Sequence, residues 1–235
     1  MNQTQQTYYH ETGLSSQGIL SNVMAKVYLY MFLGLIVTGV TSLAVSSIEN
    51  FEMFIAQNIS YLYILMIVEV ALVLIVSLAI NKLSYAAALF LFMLYSLVNG
   101  MTLSVIFLVY TNYSIYSVFF ITAGTFGIMS AIGYTTKKDL TKIGSLCLMG
   151  LLGIILAGIV NIFLRSGIMG FLLSVVGVVI FVGLTAYDTQ RIKNRLMTMN
   201  DPEMIRKASV LGALTLYLDF INIFLKLLRI LGKRK

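Results

Sequence analysis

The amino-acid sequence predicts an all-α integral membrane protein with seven transmembrane helices, and three observations lead to this prediction. Apolar residues make up 59% of the 235 residues. Charged residues make up only 11%, whereas soluble proteins carry about a quarter. The mean hydropathy is +0.94, and the apolar residues lie in long runs, which a bilayer requires and a surface facing water does not tolerate.

Residues 1–25 are polar and precede the first apolar run. They lack the apolar core and cleavage site of a signal peptide, so we expect a cytoplasmic tail. The only histidine, His10, lies in this tail, and the only cysteine is Cys147. One Cys and one His cannot supply the four ligands of an ordinary zinc site, so we expect no metal site and no cofactor. Cys147 is expected to pack as a small apolar residue.

The remaining residues, 26–235, form one predicted membrane domain of seven spans joined by short connections. A helix needs about 20 apolar residues to cross a hydrocarbon core of about 30 Å. The spans are therefore predicted at residues 27–47, 61–80, 85–109, 115–134, 143–164, 168–187 and 208–230. Glycines recur inside them, and small residues let helices pack closely in lipid. The glycines expected to do so are Gly34, Gly39, Gly124, Gly127, Gly150, Gly153 and Gly158.

The distribution of Lys and Arg predicts the orientation in the membrane. The tail and the even-numbered loops hold most of these cations, whereas the odd-numbered loops hold only Arg165. By the positive-inside rule the N-terminus is cytoplasmic. Seven crossings then place the C-terminus in the periplasm, although Lys233, Arg234 and Lys235 oppose this. The last segment either crosses fully, which its length favours, or re-enters the membrane and returns. The net charge of +7 thus indicates orientation, and we expect no nucleic-acid partner.

Three acidic residues lie within apolar segments. Glu69 is near the middle of the second span, Asp188 ends the sixth, and Asp219 is midway along the seventh. A carboxylate at the bilayer centre costs about 2.5–3.5 kcal/mol, so such residues face a cavity or a partner. Two carboxyls close together share a proton and titrate as a unit, which makes Asp188 and Asp219 a candidate pH-sensing pair.

Plainer interpretations of these residues stay open. Asp188 precedes Arg191 and could form an interfacial ion pair, and Asp219 could form a hydrogen bond between helices. Glu69 could be a packing contact or a protonated, silent acid. Asn99 is expected to bond between helices, as amides in spans usually do. Together with Glu69, Asn99 and Asn222 are also candidates for lining a pore or cavity.

Four strings of the sequence are distinctive: GLTAYDTQRIKN at 183–194, LGALTLYLDFINIFLKLLRI at 211–230, FMLYSLVNGMTLSVIFLVYT at 92–111 and GYTTKKDLTKIG at 133–144. Together they resemble the Bax inhibitor family of transmembrane Bax-inhibitor-motif proteins, in its bacterial inner-membrane branch. The resemblance runs from Met24 to the end of the chain.

The resemblance implies a seven-helix fold with the last helix at its centre and a pH-sensitive calcium leak. It also implies that an aspartate pair gates the pore, here Asp188 and Asp219. Calcium prefers oxygen ligands such as carboxylates. Bacterial members with calcium leak activity resemble one another in a basic residue in the second span, whereas this chain has Glu69 there. A second difficulty is depth, because Asp219 lies about 18 Å inward from Lys207 while Asp188 is predicted at the membrane boundary.

These observations leave two functional hypotheses. The first is a cation leak channel, permeable to calcium and gated by the aspartate pair. The second is a regulator without transport activity that binds a membrane quality-control protease or a stress-response partner. An enzyme is not expected: intramembrane aspartyl proteases also use two aspartates, but they resemble a YD…GxGD pattern, and no glycine precedes Asp219 here.

Overall fold

The structure is a computed structural model that describes residues 16–235, with side chains from Leu20 onward. His10 and the other residues of the predicted tail up to residue 15 lie outside the described residues. The helices of the described part are α1 (Ser16–Ser46), α2 (Phe51–Gln57), α3 (Ile59–Ala79), α4 (Tyr85–Leu103), α5 (Ile106–Val109), α6 (Asn112–Thr135), α7 (Thr141–Leu164), α8 (Gly167–Met197) and α9 (Pro202–Leu231).

Within residues 16–235, seven segments are long and apolar enough to cross a membrane. The chain is therefore an all-α integral membrane protein, as predicted. The spans are α1 from Leu20, α3, α4 together with α5, α6, α7, α8 and α9. In the most apolar stretch of α9, 72% of the residues are buried, against 6% in α7 and 11% in α3. Helix α9 is therefore the most buried of the seven spans, whereas α3 and α7 are mostly exposed.

The last two helices are longer than the hydropathy predicted. The sixth span was expected to end at Tyr187, but α8 continues to Met197. The seventh was expected to start at Ala208, but α9 starts at Pro202. Asp201 precedes that proline, and its Oδ1 accepts a hydrogen bond of 3.0 Å from the backbone N of Glu203. A capping aspartate followed by proline at the first helical position is a strong start signal.

The third span contains a break that hydropathy did not predict. Helix α4 ends at Leu103, and α5 begins at Ile106. The next helix, α6, begins at Asn112 because the side chain of Thr111 accepts a hydrogen bond from the backbone N of Ser114. A cap of this kind fixes the first turn of a helix.

The chain packs as two units, and α8 and α9 contribute to both. The first unit comprises residues up to Leu103 together with Ile192–Leu214, and the second comprises Ser104–Arg191 and Thr215–Lys235. In the first unit α4 packs against α1 and α3. A Cβ on Gly34 of α1 would lie 2.7 Å from the Phe92 ring of α4, and Oγ1 of Thr38 donates a hydrogen bond of 2.8 Å to the carbonyl of Ser96.

The second unit has an apolar core between α7, α8 and α9. Ile180, Phe181 and Leu184 of α8 and Ile223 of α9 are its buried members, and Cys147 of α7 packs against them. The expected packing role of Cys147 is thereby confirmed. The Phe220 ring of α9 lies edge-on to aromatic rings of α6, those of Phe119 and Phe126, with ring centroids 5.5 and 5.7 Å apart.

The C-terminal residues of the second unit pair with the connection between α5 and α6. The backbone N of Thr111 donates to the carbonyl of Lys233, and the backbone N of Lys235 donates to the carbonyl of Val109, each at 3.0 Å. The backbone N of Lys233 also donates to Oγ of Ser114 at 2.9 Å. Helix α9 therefore ends beside the connection between the third and fourth spans, which is the position expected if it crosses fully.

Several glycines predicted to be helix-packing positions have open surroundings. A Cβ added at Gly39, Gly124, Gly127, Gly153 or Gly158 would meet nothing within 4 Å in the described part of the chain. The expectation is wrong for these five and correct for Gly34 and for Gly150, where a Cβ would lie 2.8 Å from the Ile180 side chain. The reason is that α1, α6 and α7 turn these five glycines away from the neighbouring helices of the described part.

Candidate functional site

The first candidate residue, Asp188, lies on α8 in the second unit and is 9% exposed. Helix α8 extends nine residues beyond it to Met197, about 14 Å at 1.5 Å per residue. Asp188 is thus inside the helix and not at its end, and its expected place at the membrane boundary stays a prediction. Its Oδ1 lies 4.0 Å from Nη1 of Arg191. At that distance, and with the Arg191 side chain 62% exposed, the ion pair is weak.

Side chains next to Asp188 hold this part of α8 in place. Nε2 of Gln190 donates to the carbonyl of Lys138 at 2.8 Å, and its Oε1 accepts from the backbone N of Leu140 at 2.9 Å. The hydroxyls of Thr189 and of Ser130 on α6 lie 3.0 Å apart. The α6–α7 connection and α6 therefore fix the orientation of the turn that carries Asp188. The sequence analysis did not identify these residues, since their partners lie 50 or more positions away.

Two glycines bring the neighbouring helices against the same turn of α8. Gly133 of α6 lies directly against the backbone of Ala186, and Gly144 of α7 lies against the ring of Tyr187. A Cβ at either position would overlap its neighbour. The residues immediately before Asp188 are therefore enclosed by both α6 and α7.

The second candidate residue, Asp219, lies on α9 in the same unit and is 5% exposed. Its Oδ2 is fully buried and accepts no hydrogen bond from any described residue. Asp219 and Asp188 lie on α9 and α8, whose buried residues Ile223 and Leu184 pack in one core. A buried carboxyl oxygen without a donor is costly, so such an atom calls for an explanation.

The packing of α8 against α9 sets the relative depth of the two aspartates. Gly177 of α8 contacts the Lys226 side chain of α9. Because the two helices are antiparallel, seven residues after Gly177 on α8 correspond to seven residues before Lys226 on α9. Leu184 is therefore level with Asp219. Asp188 then lies four residues beyond that level, about 6 Å along the helix axis. The depth difference inferred from hydropathy therefore shrinks to about one helical turn.

The remaining polar candidates do not form one cluster with the aspartates. Glu69 and Asn99 lie in the first unit, where Nδ2 of Asn99 donates to Oε2 of Glu69 at 3.2 Å. Oε1 of Glu69 is buried and has no hydrogen-bond partner among the described residues. Asn222 lies in the second unit, one turn after Asp219, and its Nδ2 donates to the carbonyl of Leu218 in its own helix at 2.8 Å.

The structure thus groups these five candidates by unit. Asp188, Asp219 and Asn222 belong to one unit, and Glu69 and Asn99 belong to the other. The expected interhelical bond of Asn99 is observed, and it joins α4 to α3. Asn222 makes its observed bond within one helix.

Comparisons with known proteins agree with this architecture. Residues 20–235 match the family described as "Inhibitor of apoptosis-promoting Bax1". The inner membrane protein YbhL of Escherichia coli K12 is 48% identical over 219 residues, which cover 92% of this chain and 93% of that protein. An uncharacterized protein of Borreliella burgdorferi is 47% identical over 218 residues, which cover 92% of this chain and 94% of that protein. The uncharacterized protein RP147 of Rickettsia prowazekii is 41% identical over 216 residues, which cover 92% of this chain and 91% of that protein.

Proposed function

The chain belongs to the Bax inhibitor-like family, and on that premise we propose that it is a pH-sensitive cation leak pathway of the bacterial inner membrane. The permeant ion in this proposal is calcium, and the gate is the pair Asp188 and Asp219. The inner-membrane location is proposed because YbhL of Escherichia coli, at 48% identity, is described as an inner membrane protein.

One observation carries the proposal. Two buried carboxyls lie on two helices of one unit that pack against each other, and one of them has an oxygen without a hydrogen-bond donor among the described residues. A structural acid would have its oxygens satisfied by fixed donors. An acid that must gain and lose a proton, or contact a passing cation, instead needs an oxygen that is free to do so.

The protonation state of the pair determines how α8 and α9 interact. With one shared proton, the two carboxyls attract each other through a hydrogen bond. Without it, two anions repel each other in a medium of low dielectric constant, and a divalent cation can bind between them. Raising the pH therefore favours separation of the helices and passage of calcium. Two states that differ by a few kcal/mol suffice for such a gate.

Arg191 affects the charge of the aspartate pair from the side nearer the C-terminal end of α8. Nη1 of its guanidinium lies 4.0 Å from Oδ1 of Asp188. Among the described residues, Arg191 forms no ion pair with Asp219. A cation at that place favours the ionised form of Asp188 and leaves the shared proton to Asp219. The second span of this chain has no Lys or Arg to act in the same way, and Glu69 in that span interacts with Asn99 in the other unit.

Calcium flux into liposomes measured against pH tests the gate. The wild type is expected to pass more calcium as the pH rises, whereas Asp188→Asn and Asp219→Asn should make the flux independent of pH. The matched control is Asp139→Asn, because hydrogen bonds from Thr141 hold the pKa of Asp139 below its usual value. Asp139 therefore stays ionised across neutral pH, and its variant should keep the pH response of the wild type.

Two results would count against this proposal. Unchanged pH dependence in Asp219→Asn would remove the gate from the aspartate pair. No calcium flux from folded wild-type protein at any pH would favour the regulator that binds a membrane protease or a stress-response partner. That alternative is tested by co-purification from membranes with and without residues 1–15.

A further inference from the structure

Two cations near the end of α9 pack against glycines of α8. The aliphatic part of Lys226 lies along Gly177, where an added Cβ would come within 3.1 to 3.3 Å of three of its carbons. The guanidinium of Arg229 lies directly over Gly170. The two glycines are seven residues apart and therefore share one face of α8, two turns from each other. The two cations are three residues apart and are neighbours on α9.

These two positive charges lack an acidic partner. No Asp or Glu within residues 20–235 forms an ion pair with either side chain. The acids of the second unit are Asp139, Asp188 and Asp219, and the last two lie deeper along α8 and α9. Because Lys226 and Arg229 are three residues apart on α9, their charges lie on the same side of the helix. Two like charges held close together at a membrane helix end are unfavourable unless an anion lies between them.

The spacing of charges along α9 places this pair at the membrane boundary. Lys207 and Lys226 are 19 residues apart, which corresponds to about 28 Å of helix. This matches the hydrocarbon core of about 30 Å. Between them, only Asp219 is charged. Lys226 therefore lies where the hydrocarbon ends, and Arg229, one turn further, lies at the level of the lipid headgroups.

We propose that Lys226 and Arg229 bind the phosphate group of a membrane glycerophospholipid beside the groove that Gly170 and Gly177 form on α8. The guanidinium presents a planar fork of donors to two phosphate oxygens, and the ammonium adds a point charge. The glycines leave room for the two cationic side chains, which fill this groove, because a side chain at either position would displace a cation. The acyl chains of the lipid would lie along the apolar surface of α7, where Phe163 and Leu164 are exposed.

This site is independent of the proposed calcium leak. It uses no residue of the aspartate pair, and its test measures lipid binding to the purified full chain. If the flux experiment failed, the proposed lipid site would be unaffected. If the lipid did not bind, the proposed calcium leak would be unaffected.

Native mass spectrometry of the purified protein with phosphatidylglycerol tests the proposal. The variant Lys226→Gln/Arg229→Gln is expected to bind this lipid at least about tenfold more weakly than the wild type. The matched control Lys233→Gln/Arg234→Gln removes the same two charges from exposed C-terminal positions and should change binding by less than about twofold. Equal weakening in both variants would show unspecific attraction by net charge and overturn the site. No weakening in the first variant would also overturn it.

A second pair of variants tests the groove without changing charge. Gly170→Ala/Gly177→Ala should weaken phosphatidylglycerol binding, since each new methyl group displaces a cation. Gly153→Ala/Gly158→Ala adds the same two methyl groups where nothing lies within 4 Å and should leave binding unchanged. If both variants bind the lipid like the wild type, the glycine groove has no part in binding and the proposal fails.

The source of the phosphate is tested by competition. Diacylglycerol, which has the same acyl chains but no phosphate, should not compete with phosphatidylglycerol. Inorganic phosphate should displace the lipid no better than sodium chloride of equal ionic strength. If inorganic phosphate alone displaced it below about 1 mM, the ligand would be free phosphate and the lipid assignment would be overturned.

Discussion

At the scale of single residues, the buried atoms without partners are the most informative. Oδ2 of Asp219 and Oε1 of Glu69 are both buried carboxyl oxygens without a hydrogen-bond partner among the described residues. Each lies in the middle of a membrane span, where an unsatisfied charge is most costly. The sequence predicted both residues as unusual from their positions in apolar runs. It could not predict which oxygen would lack a donor, since that depends on side chains from other helices.

The bond between Glu69 and Asn99 leads to a prediction about stability. Asn99→Ala removes the donor to Oε2 of Glu69, so we expect a loss of about 1–2 kcal/mol in the free energy of unfolding. Glu69→Gln keeps an acceptor at the same place and should cost less than about 0.5 kcal/mol. Thermal or denaturant unfolding in detergent would measure both.

A double-mutant cycle isolates this interaction from other effects of the substitutions. Glu69→Leu/Asn99→Ala, compared with the two single variants, should give a coupling of about 0.6–1.7 kcal/mol, the range found for hydrogen bonds between membrane helices. A coupling near zero would show that the 3.2 Å contact contributes nothing to stability.

At the scale of helices, the contacts of individual glycines separate two groups that look alike in the sequence. Gly133 of α6 lies against the backbone of Ala186, which cannot move aside as a flexible side chain could. Gly127, six residues earlier in the same helix, has nothing within 4 Å. Hydropathy and spacing do not distinguish these positions, because the difference depends on which face α6 turns toward α8.

Substitution by alanine at these two glycines should therefore have opposite effects. Gly133→Ala is expected to destabilise the protein by about 1–3 kcal/mol, because α6 and α8 must move apart. Gly127→Ala is expected to stabilise it by about 0.5–1 kcal/mol through the higher helix propensity of alanine. Unfolding in detergent would measure both values. Equal effects would contradict the close approach at Ala186.

The ends of α8 and α9 show what hydropathy predicts and what it misses. The number of spans was predicted correctly, because each must supply enough apolar length to cross the bilayer. The extra residues of α8 up to Met197 include Arg191, Lys193 and Arg195. Hydropathy excludes such charged residues from a membrane span, but a helix can contain them where it extends beyond the hydrocarbon. The start of α9 was predictable from Asp201 and Pro202, which are a capping residue and a first helical residue.

At the scale of the whole molecule, the C-terminal contacts bear on the predicted crossing of the last segment. The positive charges of Lys233, Arg234 and Lys235 argued against a periplasmic C-terminus, whereas the length of the last segment argued for full crossing. The backbone N of Thr111 donates to the carbonyl of Lys233, and the backbone N of Lys235 donates to the carbonyl of Val109, so the end of α9 lies beside the α5–α6 connection. This position is the one expected if the last segment crosses fully, and the labelling experiment below tests it.

Cysteine labelling in intact cells would test this topology and the absolute orientation together. In a Cys147→Ala background, Tyr113→Cys and Arg234→Cys should react with a membrane-impermeant maleimide from the same side. Tyr113 is 82% exposed. By the positive-inside rule that side is the periplasm, and Lys137→Cys should react only after the cells are opened. Labelling of Tyr113→Cys and Arg234→Cys from opposite sides would contradict the C-terminal pairing.

The same C-terminal pairing has a consequence for biosynthesis. Oγ of Ser114 and the backbone N of Thr111, at the beginning of α6, bond with Lys233, 119 residues later than Ser114 in the chain. A ribosome delivers the fourth span to the membrane long before it has made these partners. The start of α6 must therefore stay open while three further spans are inserted, and it closes only once residues 233–235 have been made. Contacts of such long sequence separation form slowly, so the last few residues act late in the assembly of this unit.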